Sequence, residues 1–290
     1  MTMKLPFPKI IHQTWKTDRV PSDWLPSQNS WKQLFPDWDY RLWTDKQNRQ
    51  FIKTYYTKYL NLYDKWEYNI QRADMIRYFL LHRYGGAYCD LDNKPKINFE
   101  YYFCETNCDA YFVAQHISGV TNALMFSKPG ADIWLEVFDE MVEASENEYY
   151  AMMPKHFHVM NTTGPMMLSR VICRYQKGPI GLLPVNFNPN PKDDDDDTDN
   201  TSLNSHKDNE LRYKKNREIF MEKLRSGSWH SWDSRFIEHL RKNAKPYIIF
   251  AIICAIIGLF LILKLLCRYV FRFSKSCYYG SKELFKSVSD

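Results

Sequence analysis

The run from Arg72 to Asp92 (RADMIRYFLLHRYGGAYCDLD) most constrains what this chain can become. A helical stretch rich in apolar residues is stopped by Gly85 and Gly86, and a short strand then ends on Asp90, Leu91 and Asp92. Glycine is the residue that lets a helix end and the chain turn back. Two carboxylates one residue apart, just past a strand, can both turn toward one hard cation. Mg²⁺ and Mn²⁺ take oxygen ligands and commonly bridge protein carboxylates to substrate phosphates. Asp74 and Arg77 lie three apart on the preceding helix and so share a face. Met75, Ile76, Tyr78, Phe79 and Leu80 surround them with apolar side chains, so both charges need partners. Two readings stay open: an acid and a base aimed at the strand end, as a phosphorylated sugar donor would require, or an internal Asp74–Arg77 ion pair with no ligand.

The segment Lys9–Trp15 (KIIHQTW) is a short apolar run that ends polar, as at the end of a buried parallel strand. In open α/β sheets ligands bind outside the carboxyl ends of the strands. Trp15 is therefore placed either to stack on a nucleobase or to pack in the core, and His12 to Thr14 offer hydrogen-bonding groups.

An Asp-x-Asp triplet alone is weak evidence, but several motifs in order are not. The run from Arg72 to Asp92 resembles the Asp-x-Asp sugar-binding region of the fungal-type α-mannosyltransferase family, which includes the initiating α-1,6-mannosyltransferases and the mannosyl inositol phosphorylceramide synthases. Residues 8–16 (PKIIHQTWK) resemble its first strand and nucleotide loop, and residues 35–45 (FPDWDYRLWTD) its second strand. Residues 159–169 (VMNTTGPMMLS) and 227–233 (GSWHSWD) are similar to the sphingolipid branch. The likeness spans roughly residues 8–240.

The resemblance implies a nucleotide-sugar glycosyltransferase of the A type: an α/β fold with a mostly parallel central sheet. It implies Mn²⁺ (or Mg²⁺) on Asp90, Asp92 and His230, with Arg77 neutralising a leaving diphosphate. It also implies donor contacts from Trp15, His12, Asp74 and Asn122, and an acceptor-side loop at Asn161 and Gly164. From the residues alone, His230 is equally well a surface histidine beside packed tryptophans. Relatives carry Asn-Asp before a Met where this chain reads Asn122, Ala123, Leu124, Met125. The expected activity is retaining, metal-dependent transfer of mannose from GDP-mannose to inositol phosphorylceramide. Alternatives are another nucleotide sugar with a glycan or protein acceptor, or an inactive membrane-anchored carbohydrate-binding protein. A regulatory membrane subunit is a further partner that the family implies.

The rest of the chain divides by composition. Residues 1–187 read as the catalytic core and 188–210, with the run Asp193–Asp197, as an acidic loop that cannot form a core. Residues 211–243 read as the return of the catalytic domain. Tyr247–Leu263 holds no charged residue, and 247–266 approaches the roughly 20 residues of a membrane span; residues 267–290 form a basic tail. Basic residues flank the span on both sides, so orientation is open. The first residues lack the apolar core of a signal peptide, whereas the resemblance implies a Golgi-type membrane. Net charge is +5, with no basic stripe of the kind nucleic acid requires. Seven cysteines, an odd number, form no disulfide framework or zinc spacing, although Cys104 and Cys108 could pair in an oxidising compartment. Asn161 and Asn200 open glycosylation sequons.

Overall fold

A computed structural model describes residues 5–103, 107–115, 119–184, 187, 220–224, 232–243 and 251–264. The chain divides into two compact units, Met1–Trp229 and His230–Asp290, a boundary that falls inside the stretch read as the return of the catalytic domain.

The first unit is an α/β domain. Strand β1 (Ile10–Trp15) pairs in parallel with β2 (Asp39–Thr44) and with β3 (Gly86–Cys89). β3 runs antiparallel to β6 (Gly119–Ser127), β6 antiparallel to β5 (Ala110–Gln115), and β5 parallel to β7 (Ile180–Leu183). The order is β2-β1-β3-β6-β5-β7, so three of the five pairings are parallel and the expected α/β class with a mostly parallel sheet holds.

Alternation along the strands sorts side chains to two faces. Tyr88, Ala110, Phe112 and Met125 join an apolar cluster with the helices α2 (Asp45–Tyr55), α3 (Leu60–Lys65), α4 (Asn69–Tyr84), α5 (Ile133–Glu146) and α8 (Pro165–Arg174). Ala87, Cys89, Tyr111, Val113, Leu124 and Phe126 face a second cluster with Trp31 of α1 (Leu25–Leu34), Phe99 and Phe103. Ring packing is close: Phe79 and Phe138 stack with centroids 3.8 Å apart.

Local chemistry sets the element ends that matter here. Thr44 and Gln47 form a reciprocal capping box at the start of α2, fixing where β2 stops. α4 ends at Gly85, whose N–H bonds the Leu81 carbonyl. Gly85 (φ 64°) and Gly86 (φ 84°) both have left-handed φ, and a Cβ on Gly86 would lie 2.4 Å from the Ile10 carbonyl oxygen. Only glycine lets β3 start in contact with β1. Pro165 follows Gly164 at the first turn of α8, the position where a missing N–H costs nothing; before it lie α6 (Glu148–Ala151) and α7 (Lys155–Thr162). A second small sheet pairs β4 (Asn93–Pro95) with β8 (Met221–Lys223), antiparallel.

In the second unit, residues 232–243 and 251–264 are helical. Ile256, Leu259 and Ile262 are exposed on the latter. Among the described residues no helix is long and apolar enough to cross a membrane. A helix over 251–264 rises roughly 21 Å, against about 30 Å of hydrocarbon. The span expected over 247–266 is thus not met by the described helix, whose flanks lie outside the described residues. So do the acidic stretch 188–210, the tail 267–290, Cys104, Asn200 and His230. Cys89, Cys108, Cys173 and Cys254 are free thiols.

Candidate functional site

The two carboxylates expected to act together sit on one tight turn. The Asp90 N–H donates to the Ala123 carbonyl at 2.8 Å, extending the β3–β6 ladder by one residue, and the Asn93 N–H donates back to the Asp90 carbonyl at 3.0 Å. Asn93 is fully buried, and its carbonyl accepts from Ser27 Oγ (2.7 Å) and Trp31 Nε1 (3.1 Å). The turn is therefore anchored on the core at both ends.

Beneath it lies Arg77. Its guanidinium holds Asp74 Oδ1 at 2.9 Å and Asp90 Oδ1 at 3.1 Å, donates to the Asn122 carbonyl at 2.8 Å, and lies 4.7 Å from the Tyr88 ring centroid. Asp74 Oδ1 also accepts from Asn122 Nδ2 (3.0 Å) and Oδ2 from Thr163 Oγ1 (3.1 Å). Asp90 Oδ1 accepts from the Tyr88 hydroxyl at 3.1 Å. Burial pushes the Asp74 carboxyl up to about 6, with Arg77 pulling it back. Burial opposes the Arg77 charge too, but Asp90, Tyr88 and Asp74 outweigh it and hold the guanidinium protonated.

Exposure separates the members. The Asp74 and Arg77 side chains are 6% and 4% exposed, whereas that of Asp90 is 29% exposed. Among the described residues the contacts of the Asp90 carboxylate fall on Oδ1. Arg77 is thus a buried clamp that fixes Asp90, not an open anion binder, and both Asp74 oxygens already have partners. The Asp74–Arg77 pair is internal, and Arg77 also reaches the strand end at Asp90.

Asp92 faces a different neighbour. Lys223 Nζ on β8 donates to Asp92 Oδ1 at 2.7 Å and to Asn93 Oδ1 at 3.0 Å. Two carboxylates on one turn suit a hard dication that draws its other oxygens from phosphate and water. Asp90 and Asp92 supply two such oxygens, and among the described residues there is no group of three or more acidic, His or Cys side chains that could hold a metal.

The other expected residues divide. Trp15 ends β1, half-buried, with its ring 4.7 Å edge-on from that of Trp24. His12 is fully buried. Its Nδ1 accepts from Trp43 Nε1 (3.1 Å), so Nε2 carries the proton and donates to the Gly85 carbonyl (3.0 Å). Desolvation lowers its pKa to about 4. With both nitrogens spent, His12 braces the junction of α4 and β3 and offers a donor molecule nothing. Asn122 spends its amide on Asp74 and the Tyr78 hydroxyl. Asn161 is buried, donating to the Phe157 carbonyl and accepting from Arg170; it ties α7 to α8, and its burial denies it to glycosylation. Gly164 is needed for packing, since a Cβ there would lie 2.9 Å from Met160 Cα.

The sequence reading missed Thr163, Tyr88 and Lys223 as parts of the site. Thr163 follows Asn161 within the acceptor-side motif, and Tyr88 follows from alternation along β3. Lys223 left no local signal, because its contact spans 131 residues. Also missed is a polar cleft lined by Asp45, Arg49, Tyr63, Asp64, Asn69 and Arg72. It opens beside the carboxyl end of β2, where Thr44 registers with Trp15.

Comparison with known proteins bears out the resemblance read from the motifs. Residues 21–108 match the family described as the glycosyltransferase sugar-binding region containing the DXD motif. The chain is 38% identical over 175 residues to inositol phosphoceramide mannosyltransferase 3 of Schizosaccharomyces pombe, covering 59% of this chain and 46% of that protein. It is 31% identical over 244 residues to mannosyl phosphorylinositol ceramide synthase CSH1 of Saccharomyces cerevisiae, covering 81% of this chain and 56% of that protein. The initiation-specific α-1,6-mannosyltransferase of Candida albicans is 34% identical over 94 residues, covering 30% of this chain and 24% of that protein. The chain spans about half the length of the first two relatives.

Proposed function

We propose that this chain, which carries the sugar-binding region of the DXD-containing glycosyltransferases, is a metal-dependent mannosyltransferase that moves mannose from GDP-mannose to inositol phosphoceramide at a membrane, with retention of the anomeric configuration. The observation that carries this reading is the pair Asp90 and Asp92 on one core-anchored turn, with Asp90 open to solvent above a buried cation. The A-type glycosyltransferase assignment draws on the same arrangement, carboxylates at the end of a central strand of a mostly parallel sheet.

Asp90 and Asp92 would hold Mn²⁺ or Mg²⁺, which when bound supplies Lewis-acid stabilisation for the charge developing on a leaving diphosphate. The chain's own residues do the positioning. Arg77 and Tyr88 fix the rotamer of Asp90, and Asn122 and Thr163 fix Asp74 behind it. Because Arg77 is protonated and buried, its field acts at the strand end without reorganisation. Trp15 at the end of β1 is the stacking surface for the base. The acceptor hydroxyl itself would attack the sugar on the leaving-group face, with no covalent intermediate on the chain.

The choice of mannose and of a phosphoinositol sphingolipid rests on the names of two relatives that match 59% and 81% of the chain. A membrane setting is supported by the apolar, exposed helix at 251–264. The test is a donor screen with purified full-length protein, with and without EDTA, followed by an acceptor screen in lipid. Mn²⁺-dependent consumption of GDP-mannose with mannosylated inositol phosphoceramide as product is expected. Consumption of another nucleotide sugar, transfer to soluble oligosaccharides, or activity unchanged by EDTA would replace the corresponding part of the reading.

A further inference from the structure

β8 delivers a lysine to the carboxylate turn with unusual definition for so flexible a side chain. Lys223 is the register partner of Asn93 across the β4–β8 ladder, and the next N–H, that of Leu224, donates to the Asp92 carbonyl at 2.8 Å. Its ammonium then reaches Asp92 Oδ1 at 2.7 Å and Asn93 Oδ1 at 3.0 Å, with the two charged side chains 21% and 14% exposed. A monovalent cation of the chain's own therefore sits on an oxygen of the carboxylate that a dication would use.

A dication brought to that carboxylate would meet the ammonium at close range, where like charges repel strongly in a partly desolvated site. The backbone of β8 is held in its ladder, but a four-carbon stem lets the ammonium swing. Once displaced it needs another anion, and the diphosphate of a nucleotide donor is the one the same event brings in. We propose that Lys223 competes with the divalent ion for Asp92 and so makes metal binding conditional on the nucleotide diphosphate: the metal binds poorly alone, and well when a diphosphate is present to receive the displaced ammonium. This rests on the reading of Asp90 and Asp92 as the donor site. It casts Lys223 as a positioning residue that couples the two ligands, so that each raises the other's affinity by the same factor.

The test is Mn²⁺ titration of the full-length chain, followed by the electron paramagnetic resonance of free Mn²⁺, with and without GDP. In the unsubstituted protein GDP should tighten Mn²⁺ binding by at least tenfold. Lys223→Met should bind Mn²⁺ alone at least tenfold more tightly and show a clearly smaller GDP enhancement, what remains coming from the phosphate oxygens that ligate the ion directly, whereas Lys223→Arg should keep the whole of it. Thermal melting checks folding, and Lys223→Gln serves in place of the Met variant if that one is unfolded. A folded Lys223→Met or Lys223→Gln protein with unchanged Mn²⁺ affinity, or with the full GDP enhancement, overturns the coupling and leaves the metal site standing. Absence of Mn²⁺ binding in every protein, GDP present or not, overturns both.

Discussion

Asp74 and Arg77, three residues apart on α4, are paired at 2.9 Å in a place where neither side chain is more than 6% exposed. An ion pair there is retained only because each member is also hydrogen-bonded elsewhere, Asp74 to Asn122 and Thr163, Arg77 to Asp90 and the Asn122 carbonyl. Removing one member strands the other's charge in the core. Arg77→Ala is expected to cost about 3–5 kcal/mol of stability. The double variant Asp74→Ala/Arg77→Ala should be less destabilised than the sum of the two singles. Urea unfolding of all three proteins checks this, and simple additivity would mean the pair is not coupled.

The carboxylates of the turn should behave in the opposite way. The Asp92–Lys223 pair is less buried than Asp74–Arg77 and an Asn amide oxygen can still accept from the ammonium, so Asp92→Asn should cost less stability than Arg77→Ala. An amide is a poor partner for a hard dication, and turnover should fall by at least about 100-fold. Asp90→Asn should be equally severe for turnover. Steady-state transfer assays alongside melting curves separate these effects, and a fully active Asp92→Asn protein would refute the metal-dependent reading.

His12 sets a pH dependence. Its folded pKa of about 4 lies below the unfolded value of 6.5, so between these values the unfolded chain binds a proton that the native state refuses. Stability from this group is complete above pH 6.5 and is lost as pH falls toward 4, by at most about 3 kcal/mol. Asp74 leans the other way, its raised pKa making the native state the better proton binder between about 4 and 6. His12→Gln should therefore unfold less steeply with acidification than the unsubstituted protein. Urea midpoints at pH 7, 5.5 and 4.5 are the measurement, and parallel curves would refute it.

Gly86→Ala should be the most damaging single-methyl change near the site. The residue would hold a positive φ that alanine avoids, at a cost of about 1–3 kcal/mol, and its Cβ would press on the Ile10 carbonyl. Because both are backbone effects, no side-chain repacking relieves them. A melting temperature within a degree of the parent would contradict this.

Truncation after Asn243 removes the apolar stretch 247–263. The full-length chain should stay with membranes through an alkaline wash and the shortened one should not. Metal-dependent donor hydrolysis should survive, while transfer to lipid in vesicles should drop as the effective concentration of the anchored site is lost. Equal transfer rates by the two proteins would reduce the segment to an address.

Much of this site was legible because its signals are local. The glycine pair, the Asp-x-Asp triplet and the spacing of Asp74 and Arg77 all lie within one helix–turn–strand unit, and periodicity placed Asp74 and Arg77 in a buried setting. What stayed hidden is set by distant pairing. Asn122 and Thr163 reach Asp74 from elements far along the chain, and Lys223 comes from beyond the acidic stretch. His12 looked like a ligand because its strand ends at the site, but one residue of register decides whether a side chain points into the packing or out of it. Its bonds to Trp43 and Gly85 show the former.

The same distances bear on how the protein becomes active. The Asp90 amide is held by Ala123, the Asp92 carbonyl by Leu224, and β3 is seated against Ile10 through Gly86. A peptide of residues 72–92 would contain both carboxylates and the arginine yet have nothing to fix the turn. Competence at the Asp-x-Asp turn should thus arise late in folding, after sequence-distant partners have docked and their loop-closure cost has been met. A nascent chain released before β8 is made would lack the Leu224 bond that holds the Asp92 carbonyl and would leave that side of the turn unorganised.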